Sequence, residues 1–151
     1  MPIPKQVPQT AAEQLMNASV QSKSKSSWFS KKKRPLLTSE ACEYIFKYVR
    51  INGRTEVTEA TLIFRASRDG WSAKDFHRLC DDRGPTLCLV QADGDYMSAG
   101  FTSKAWASPE KTTDVEDASA CVFALTDKIQ VFKTKNPERA VYHDKGCGPI
   151  W

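Results

Sequence analysis

The chain has 151 residues, of which 40% are hydrophobic and 26% are charged, a composition typical of one small globular domain. Its net charge is +4, no stretch approaches the roughly 18 to 20 consecutive apolar residues of a membrane span, and the N-terminus lacks the apolar run of a secretory signal. These features exclude an integral membrane protein and predict a soluble, intracellular chain that is cytoplasmic.

The positive charge is concentrated at the N-terminus, where the first 34 residues contain seven Lys or Arg and a single Glu. This segment is rich in Gln, Ser, Lys and Pro, so we predict that residues 1–35 form a disordered basic tail or linker. Trp28 and Phe29 precede the run KKKR, a combination that could contact an anionic membrane, direct entry into a nucleus or contact nucleic acid, although a solvated linker explains it at least as well. The rest of the chain is not basic, and we expect no nucleic-acid partner.

The first predicted helix begins at Thr38 or Ser39, either of which can cap the segment EACEYIFKYV. Its apolar residues recur at helical spacing and should face the core: Cys42, Ile45, Phe46 and Val49. After a turn-rich connection, TLIFRAS alternates in polarity, which predicts a half-buried strand with Leu62, Phe64 and Ala66 on one side.

A second helix is predicted from Ser72, because Ser72 and Asp75 have the spacing of a capping box. Trp71 and Phe76 occupy the positions of a hydrophobic staple, which predicts a core position for Trp71. The run HRLC within this helix raises the question of chemistry or packing. Cys80 falls on the apolar side of the helix with Phe76, and His77 lies beside Phe76. We therefore predict that His77 and Cys80 pack in the protein and do not take part in catalysis or metal binding.

The rest of the chain predicts antiparallel strands. TLCLVQA is apolar on both faces, which is typical of a central strand, and Asp93-Gly94 predicts a hairpin into DYMSAGF. ASACVFAL and IQVFK read as further strands. We therefore predict an α+β fold, a two-layer antiparallel β-sandwich flanked by helices, in a domain that spans residues 36–151.

The five cysteines are odd in number and widely spaced, which indicates reduced thiols that are mostly buried, with Cys147 alone exposed. Four residues could chelate zinc if they converged: His77, Cys80, His143 and Cys147. A cysteine nucleophile activated by histidine is the other catalytic possibility. We predict no catalytic residue, cofactor or metal site, and a thiol- or metal-dependent redox enzyme remains the alternative.

Two further groups of residues have the chemistry of functional sites. The pairs Asp81-Asp82 and Asp93-x-Asp95 flank turns, where Asp bonds its own backbone, and neither has an obvious basic or metal partner. Trp106 could be a core residue or a partner contact. Together with the cations Arg68 and Lys104, it forms our set of candidate partner-contact residues.

The order of motifs from Phe64 to Trp106 resembles the central part of the TLDc domain, the domain of oxidation-resistance proteins. The matching positions are Phe64, Arg68, Gly70, Trp71, Ser72, Phe76, His77, Gly84, Pro85, Thr86, Gly100, Phe101, Thr102 and Trp106. DASACVFAL and CGPIW resemble later blocks of the same domain. The family continues past the last of these blocks, so the resemblance implies that the domain is incomplete at its C-terminal end.

The resemblance also implies a function. TLDc proteins are non-enzymatic interaction modules associated with resistance to oxidative stress, and several bind the vacuolar proton-pumping ATPase and regulate its assembly. We therefore expect a protein partner of this kind, at the membranes of acidic organelles. This expectation rests on the resemblance alone, because neither the composition nor the periodicity of the sequence indicates these functions.

Overall fold

The structure is a computed structural model that describes residues 37–52, 57, 59–92, 96–126 and 128–151. The predicted basic tail, residues 1–35, lies outside these ranges, and so do Asp93 and Gly94 of the predicted hairpin turn. Within them, none of the helices has the length and apolar character that a membrane crossing needs.

Helices come first in the chain and strands follow. The described residues form three α-helices, α1 (Ser39–Asn52), α2 (Ala66–Asp69) and α3 (Ala73–Cys80). The strands are β1 (Thr86–Gln91), β2 (Met97–Thr102), β3 (Thr113–Val115), β4 (Cys121–Ala124), β5 (Gln130–Lys133) and β6 (Val141–His143), with a 3-10 helix at Pro137–Arg139. One antiparallel sheet has the order β1-β2-β4-β5, and β3 pairs with β6 in a second. The predicted α+β class with antiparallel sheets is confirmed.

Helix α1 packs on one face of the four-stranded sheet. Its N-terminus is capped as predicted, since the Ala41 N–H donates to Thr38 Oγ1 over 3.1 Å. The apolar stripe is buried, with Phe46 at its partly exposed margin. A first core cluster results, made of Leu37, Ala41, Cys42, Ile45, Val49, Ala99, Phe101, Cys121 and Phe123.

Helix α3 belongs to a second core cluster. Its capping box is present as predicted, because Ser72 Oγ accepts from the Asp75 N–H at 3.2 Å and Asp75 Oδ2 accepts from the Ser72 N–H at 3.3 Å. The cluster contains Phe76, Cys80, Trp106, Ala120, Ala140 and Val141, and Cys88 and Trp151 pack against it.

The second cluster meets the sheet at Gly100. A Cβ atom at this position would lie 2.8 Å from the ring of Trp151, closer than real contacts allow. The indole N–H of Trp151 also donates to the Phe101 carbonyl over 3.1 Å. Glycine at position 100 therefore lets an indole ring lie directly on the sheet, on the face opposite to α1.

The strand predicted over TLIFRAS is wrong. Residues 61–65 have no regular structure, residues 66–69 form α2, and Leu62 is 41% exposed. The Arg65 N–H donates to Asp69 Oδ2 over 2.7 Å, and the Asp69 N–H donates to the Arg65 carbonyl over 2.8 Å. These bonds close one helical turn, which satisfies backbone groups that a strand would have to pair with a neighbour.

The predicted core position of Trp71 is also wrong, because its side chain is 84% exposed. The ring of Phe76, its expected staple partner, packs instead against Phe64 and Trp106, with ring centroids 5.6 and 5.5 Å away. Gly70, with a φ of +116°, turns the chain immediately before Trp71. Phe76 therefore packs against rings from other segments and not against Trp71.

Strand β1 was predicted to be central and is an edge strand of the four-stranded sheet. Its pairing with β2 confirms the hairpin, since Gln91 lies opposite Met97. On the sheet face opposite to α1, the apolar residues of β1 differ in burial. Cys88 packs against the second cluster, whereas Val90 is 53% exposed.

Candidate functional site

A cleft of about 510 Å³ lies beside α3, and it is lined by Lys74, His77, Arg78, Asp81, Ser108 and Lys145. Four of these residues recur at positions i, i+3, i+4 and i+7 from Lys74, so they share one face of the helix and its C-terminal end. Phe76 and Cys80 face the core, which leaves this polar face to the surface. The loops that follow Trp106 and β6 contribute Ser108 and Lys145.

His77 is surrounded by hydrogen-bond acceptors. Its Nδ1 lies 2.7 Å from Asp81 Oδ1, and its Nε2 lies 3.0 Å from the Asp144 carbonyl and 2.9 Å from the Cys147 carbonyl. Both ring nitrogens can satisfy these acceptors only as donors, which requires the imidazolium form. Burial opposes this charge, but the bonds to Asp81 and the two carbonyls outweigh it and raise the pKa of His77 above its ordinary value.

Asp81 extends this network to the loop after Trp106. Its Oδ2 accepts a hydrogen bond from Ser108 Oγ at 2.5 Å. Asp81 therefore has two partners, which corrects the expectation that the Asp81-Asp82 pair lacks one. Asp82 lies in a turn with a φ of 59°, and its N–H donates to the Trp106 carbonyl over 2.9 Å.

The sequence of hydrogen bonds from Ser108 to Asp81 to His77 does not suit nucleophilic catalysis. A serine nucleophile needs a base within hydrogen-bond reach of its hydroxyl. The Ser108 hydroxyl instead donates to the Asp81 carboxylate, and the nitrogens of His77 are occupied by Asp81 and the two backbone carbonyls. The bonds tie α3 to two loops that are distant in sequence.

Three other side chains give the cleft a positive charge: Lys74, Arg78 and Lys145. Lys145 Nζ lies 2.7 Å from Glu110 Oε2, and an Arg78 guanidinium nitrogen lies 3.9 Å from Asp75 Oδ1. The first pair is exposed, and the second is long although Asp75 is partly buried, so both are weak and an incoming anion can displace them. With His77 charged, the lining carries four cations and one carboxylate, which suits an anionic group.

The four zinc candidates do not converge on one point. His143 is buried, with its ring centroid 5.6 Å from that of Trp106, and burial lowers its pKa despite the nearby Asp81 carboxylate. Cys80 lies in the second core cluster, and Cys147 contributes its carbonyl to His77. Across the part of the chain that the structure describes, no three His, Cys, Asp or Glu side chains are placed to bind a metal ion together.

Burial also determines the chemistry of the thiols. It raises the pKa of Cys80 and Cys121 to about 11 and that of Cys88 to about 12. The pKa of Cys42 is raised for the same reason. A thiol with so high a pKa is almost entirely protonated at neutral pH and is a poor nucleophile. Cys147, predicted to be exposed, is half-buried.

The predicted partner-contact residues lie elsewhere. Trp106 is 1% exposed, so its burial supports the core alternative and not a surface contact. Arg68 is exposed and bonds Asp69 through two contacts of 2.7 Å, and Lys104 is exposed. Neither cation lines the cleft. Their role as partner contacts remains a prediction.

Sequence reasoning missed Lys74, Arg78, Ser108 and Lys145 as members of one site. The spacing of Lys74, His77, Arg78 and Asp81 was a usable signal, because it places four charged or polar residues on one helix face. No sequence pattern links Ser108 and Lys145 to these residues, because only the tertiary fold brings them to the cleft.

We expect the His77→Gln variant to lose about 2 kcal/mol of unfolding free energy at pH 6, because it loses charge-assisted hydrogen bonds. The pKa of His77 is raised in the folded chain, so its stabilisation is complete below the unfolded value of about 6.5. It is lost as the pH rises through the folded value. Urea denaturation of both proteins between about pH 5.5 and 9 should show a shrinking difference.

His143→Gln is the matched control. Burial lowers the pKa of His143, so its contribution has the opposite sign and is lost as the pH falls below about 6.5. The Asp81 carboxylate raises the pKa of both histidines, and the His77 ring lowers the pKa of His143. A stability difference for His77→Gln that does not change with pH would contradict the imidazolium assignment.

Comparison with known proteins adds one finding to this geometry. The family model described as the TLDc domain matches residues 30–149, which is most of the chain and includes every residue of the cleft. No curated protein matches the chain.

Proposed function

Because the chain belongs to the TLDc domain family, we propose that it is a non-enzymatic protein-interaction module that contributes to resistance against oxidative stress and binds the vacuolar proton-pumping ATPase. The family match over residues 30–149 is the observation that carries this proposal. Binding to that pump would place the protein at the membranes of acidic organelles.

An exposed apolar surface supports an interaction role. On the sheet face opposite to α1, Val122 lies directly across from Phe132, and Val90 extends the same face on the edge strand β1. Phe132 is 55% exposed and Val122 is 36% exposed. Large apolar side chains that share an exposed face are typical of surfaces that bind other proteins.

The chemistry of the thiols supports the non-enzymatic part of the proposal. A redox enzyme of the alternative kind needs an accessible thiolate. Cys80 and Cys121 are buried, and burial raises the pKa of both thiols to about 11. The His77 ring also has no free nitrogen with which to activate a neighbouring thiol.

The test measures binding of the purified full chain to subcomplexes of the vacuolar ATPase, by surface plasmon resonance. We expect saturable binding that weakens at least tenfold in Phe132→Glu, because a carboxylate placed in an apolar contact must be desolvated. Ile51→Glu is the matched control, since Ile51 is an exposed apolar residue of α1. Its affinity should stay within about twofold of the unchanged chain.

Thiol titration and metal analysis of the same preparation address the enzymatic alternative. The folded chain should react slowly with a disulfide reagent, and the unfolded chain should show all five cysteines. One rapidly reacting thiol in the folded chain, or a stoichiometric metal, together with no binding to any subcomplex would overturn the proposed function.

A further inference from the structure

Residues 108–111 read Ser-Pro-Glu-Lys, and Ser108 is the only Ser or Thr in the 151-residue sequence that is followed by proline. Proline-directed protein kinases select this dipeptide, since proline has no backbone N–H to leave unpaired in the position after the acceptor. Several of them favour a basic residue two positions after the proline, which Lys111 supplies here. The sequence thus carries one complete acceptor motif for such a kinase.

The structure presents this motif in an accessible form. Ser108 is exposed, and residues 107–109 have no regular secondary structure. Residues 110–114 are exposed as well. A kinase binds its acceptor segment in an extended conformation, and this loop can adopt one without breaking a helix or a sheet of the core.

The surroundings of Ser108 suit a phosphate. Lys74, Arg78 and Lys145 line the same cleft as the Ser108 hydroxyl. Lys145 already bonds Glu110, two residues after the serine, at 2.7 Å, which shows that its ammonium group reaches this loop. Asp81, Asp75 and Glu110 are the opposing carboxylates. Glu110 is exposed, and Asp75 is partly buried, bonds Ser72 and lies 3.9 Å from Arg78, so both engage the cations only in weak pairs.

We propose that Ser108 is a phosphorylation site for a proline-directed protein kinase and that its phosphate binds the cations Lys74, Arg78 and Lys145 of the cleft. ATP is the phosphoryl donor. The Ser108 oxygen forms a bond to the γ-phosphorus, the bond from that phosphorus to the β–γ bridging oxygen breaks, and ADP leaves. The hydroxyl proton passes to the catalytic aspartate of the kinase.

The modification changes the network in a defined way. Phosphoserine no longer donates to Asp81, and its charge of about −1.5 to −2 repels that carboxylate. The same charge attracts the three cations and competes with Glu110 for Lys145. The loop that contains Ser108 therefore exchanges one hydrogen bond to the Asp81 carboxylate for bonds between its phosphate and the cations of α3 and of the loop after β6.

The first arm of the experiment treats the folded full chain with a purified cyclin-dependent kinase and MgATP. Mass spectrometry should show one added phosphoryl group, located at Ser108 by fragmentation. Ser108→Ala should remove it, and Pro109→Ala should lower the initial rate at least tenfold while leaving the hydroxyl in place. No incorporation into the folded chain, or equal rates with and without Pro109, would overturn the modification site.

The second arm tests where the phosphate binds. The second pKa of phosphoserine, ordinarily about 6, is measured by phosphorus NMR in the modified chain and in a phosphopeptide of residues 104–113. Nearby cations favour the dianion, so the value in the chain should be lower by about one pH unit. Lys145→Gln and Arg78→Gln should each move it back toward the peptide value.

Lys133→Gln is the matched control for this arm, because Lys133 is an exposed lysine of β5 that bonds Asn52 of α1 and does not line the cleft. It should leave the phosphate pKa unchanged. Equal pKa values in chain and peptide, or equal effects of the Lys145 and Lys133 variants, would overturn binding in the cleft while leaving the modification site itself established.

Discussion

Replacing Trp106 with alanine is expected to lower the free energy of unfolding by about 3 to 5 kcal/mol. The side chain is 1% exposed, and its ring packs against those of Phe76 and Trp151, with centroids 5.5 and 5.4 Å away. Its indole N–H donates to Thr86 Oγ1 over 2.8 Å, so alanine would leave a cavity and remove a hydrogen bond. Urea denaturation followed by far-UV circular dichroism measures the loss.

Trp71→Ala is the matched control, because it removes the same side chain from a surface position. Trp71 is 84% exposed, and its loss should change the stability by no more than about 0.5 kcal/mol. The contrast is informative, since both tryptophans belong to the set of motif residues in the sequence. Similar effects of the two substitutions would contradict the assignment of Trp106 to the core and of Trp71 to the surface.

Features specified by neighbouring residues could be predicted from the sequence. The capping box of α3 needs only Ser72 and Asp75, and the stripe of α1 needs only a spacing of three and four residues. The β1–β2 hairpin follows from a turn signal between two apolar runs. In each case the residues that specify the feature are close in sequence, so the local pattern is sufficient to predict it.

Features that depend on distant contacts were predicted wrongly. Trp71 and Phe76 have the spacing of a staple, but Phe76 packs against the rings of Phe64 and Trp106. The alternation of TLIFRAS is also a strand pattern, yet Asp69 closes a helical turn on Arg65. The position of β1 at a sheet edge follows from which strands pair, and a single strand's polarity does not encode that choice.

The run HRLC also combines one feature that the local sequence predicts with one that depends on distant contacts. Cys80 packs in the core, as its helical position predicted. His77 does more than pack, because it donates to Asp81 at the C-terminal end of α3 and to carbonyls 67 and 70 residues away. The first partner could be read from the i, i+4 spacing. The other two could not, since a backbone carbonyl leaves no mark in the sequence.

Asp117 was not identified from the sequence, and its replacement by alanine should have the second-largest effect on stability. Its carboxylate is 3% exposed and accepts five hydrogen bonds. Two come from the backbone N–H groups of Ser103 and Ser119, at 2.7 and 2.9 Å, and three come from hydroxyl groups. This carboxylate links the end of β2 to the start of β4.

Asp117→Ala is expected to lower the free energy of unfolding by about 2 to 4 kcal/mol, because each unsatisfied backbone N–H costs about 1 to 3 kcal/mol. The hydroxyl donors, including that of Thr102 at 2.7 Å, can rotate toward other acceptors and add less. Urea denaturation at pH 7 checks this value. Asp114→Ala is the control: Asp114 forms an exposed pair with Arg139 at 2.8 Å, and its loss should cost at most about 1 kcal/mol.

The effect of Asp117 should also depend on pH in a direction opposite to that of His77. Burial alone would raise the pKa of this carboxyl, but the hydrogen bonds from Ser119, Thr102 and Ser103 outweigh burial and lower it. Its stabilisation is therefore complete above the unfolded value of about 3.9 and is lost as the pH falls through the folded value. The difference between the unchanged chain and Asp117→Ala should persist from pH 7 to about 5 and shrink below about 4. A difference that grew with acidity would mean that Asp117 is protonated in the folded chain and that its donors are satisfied elsewhere.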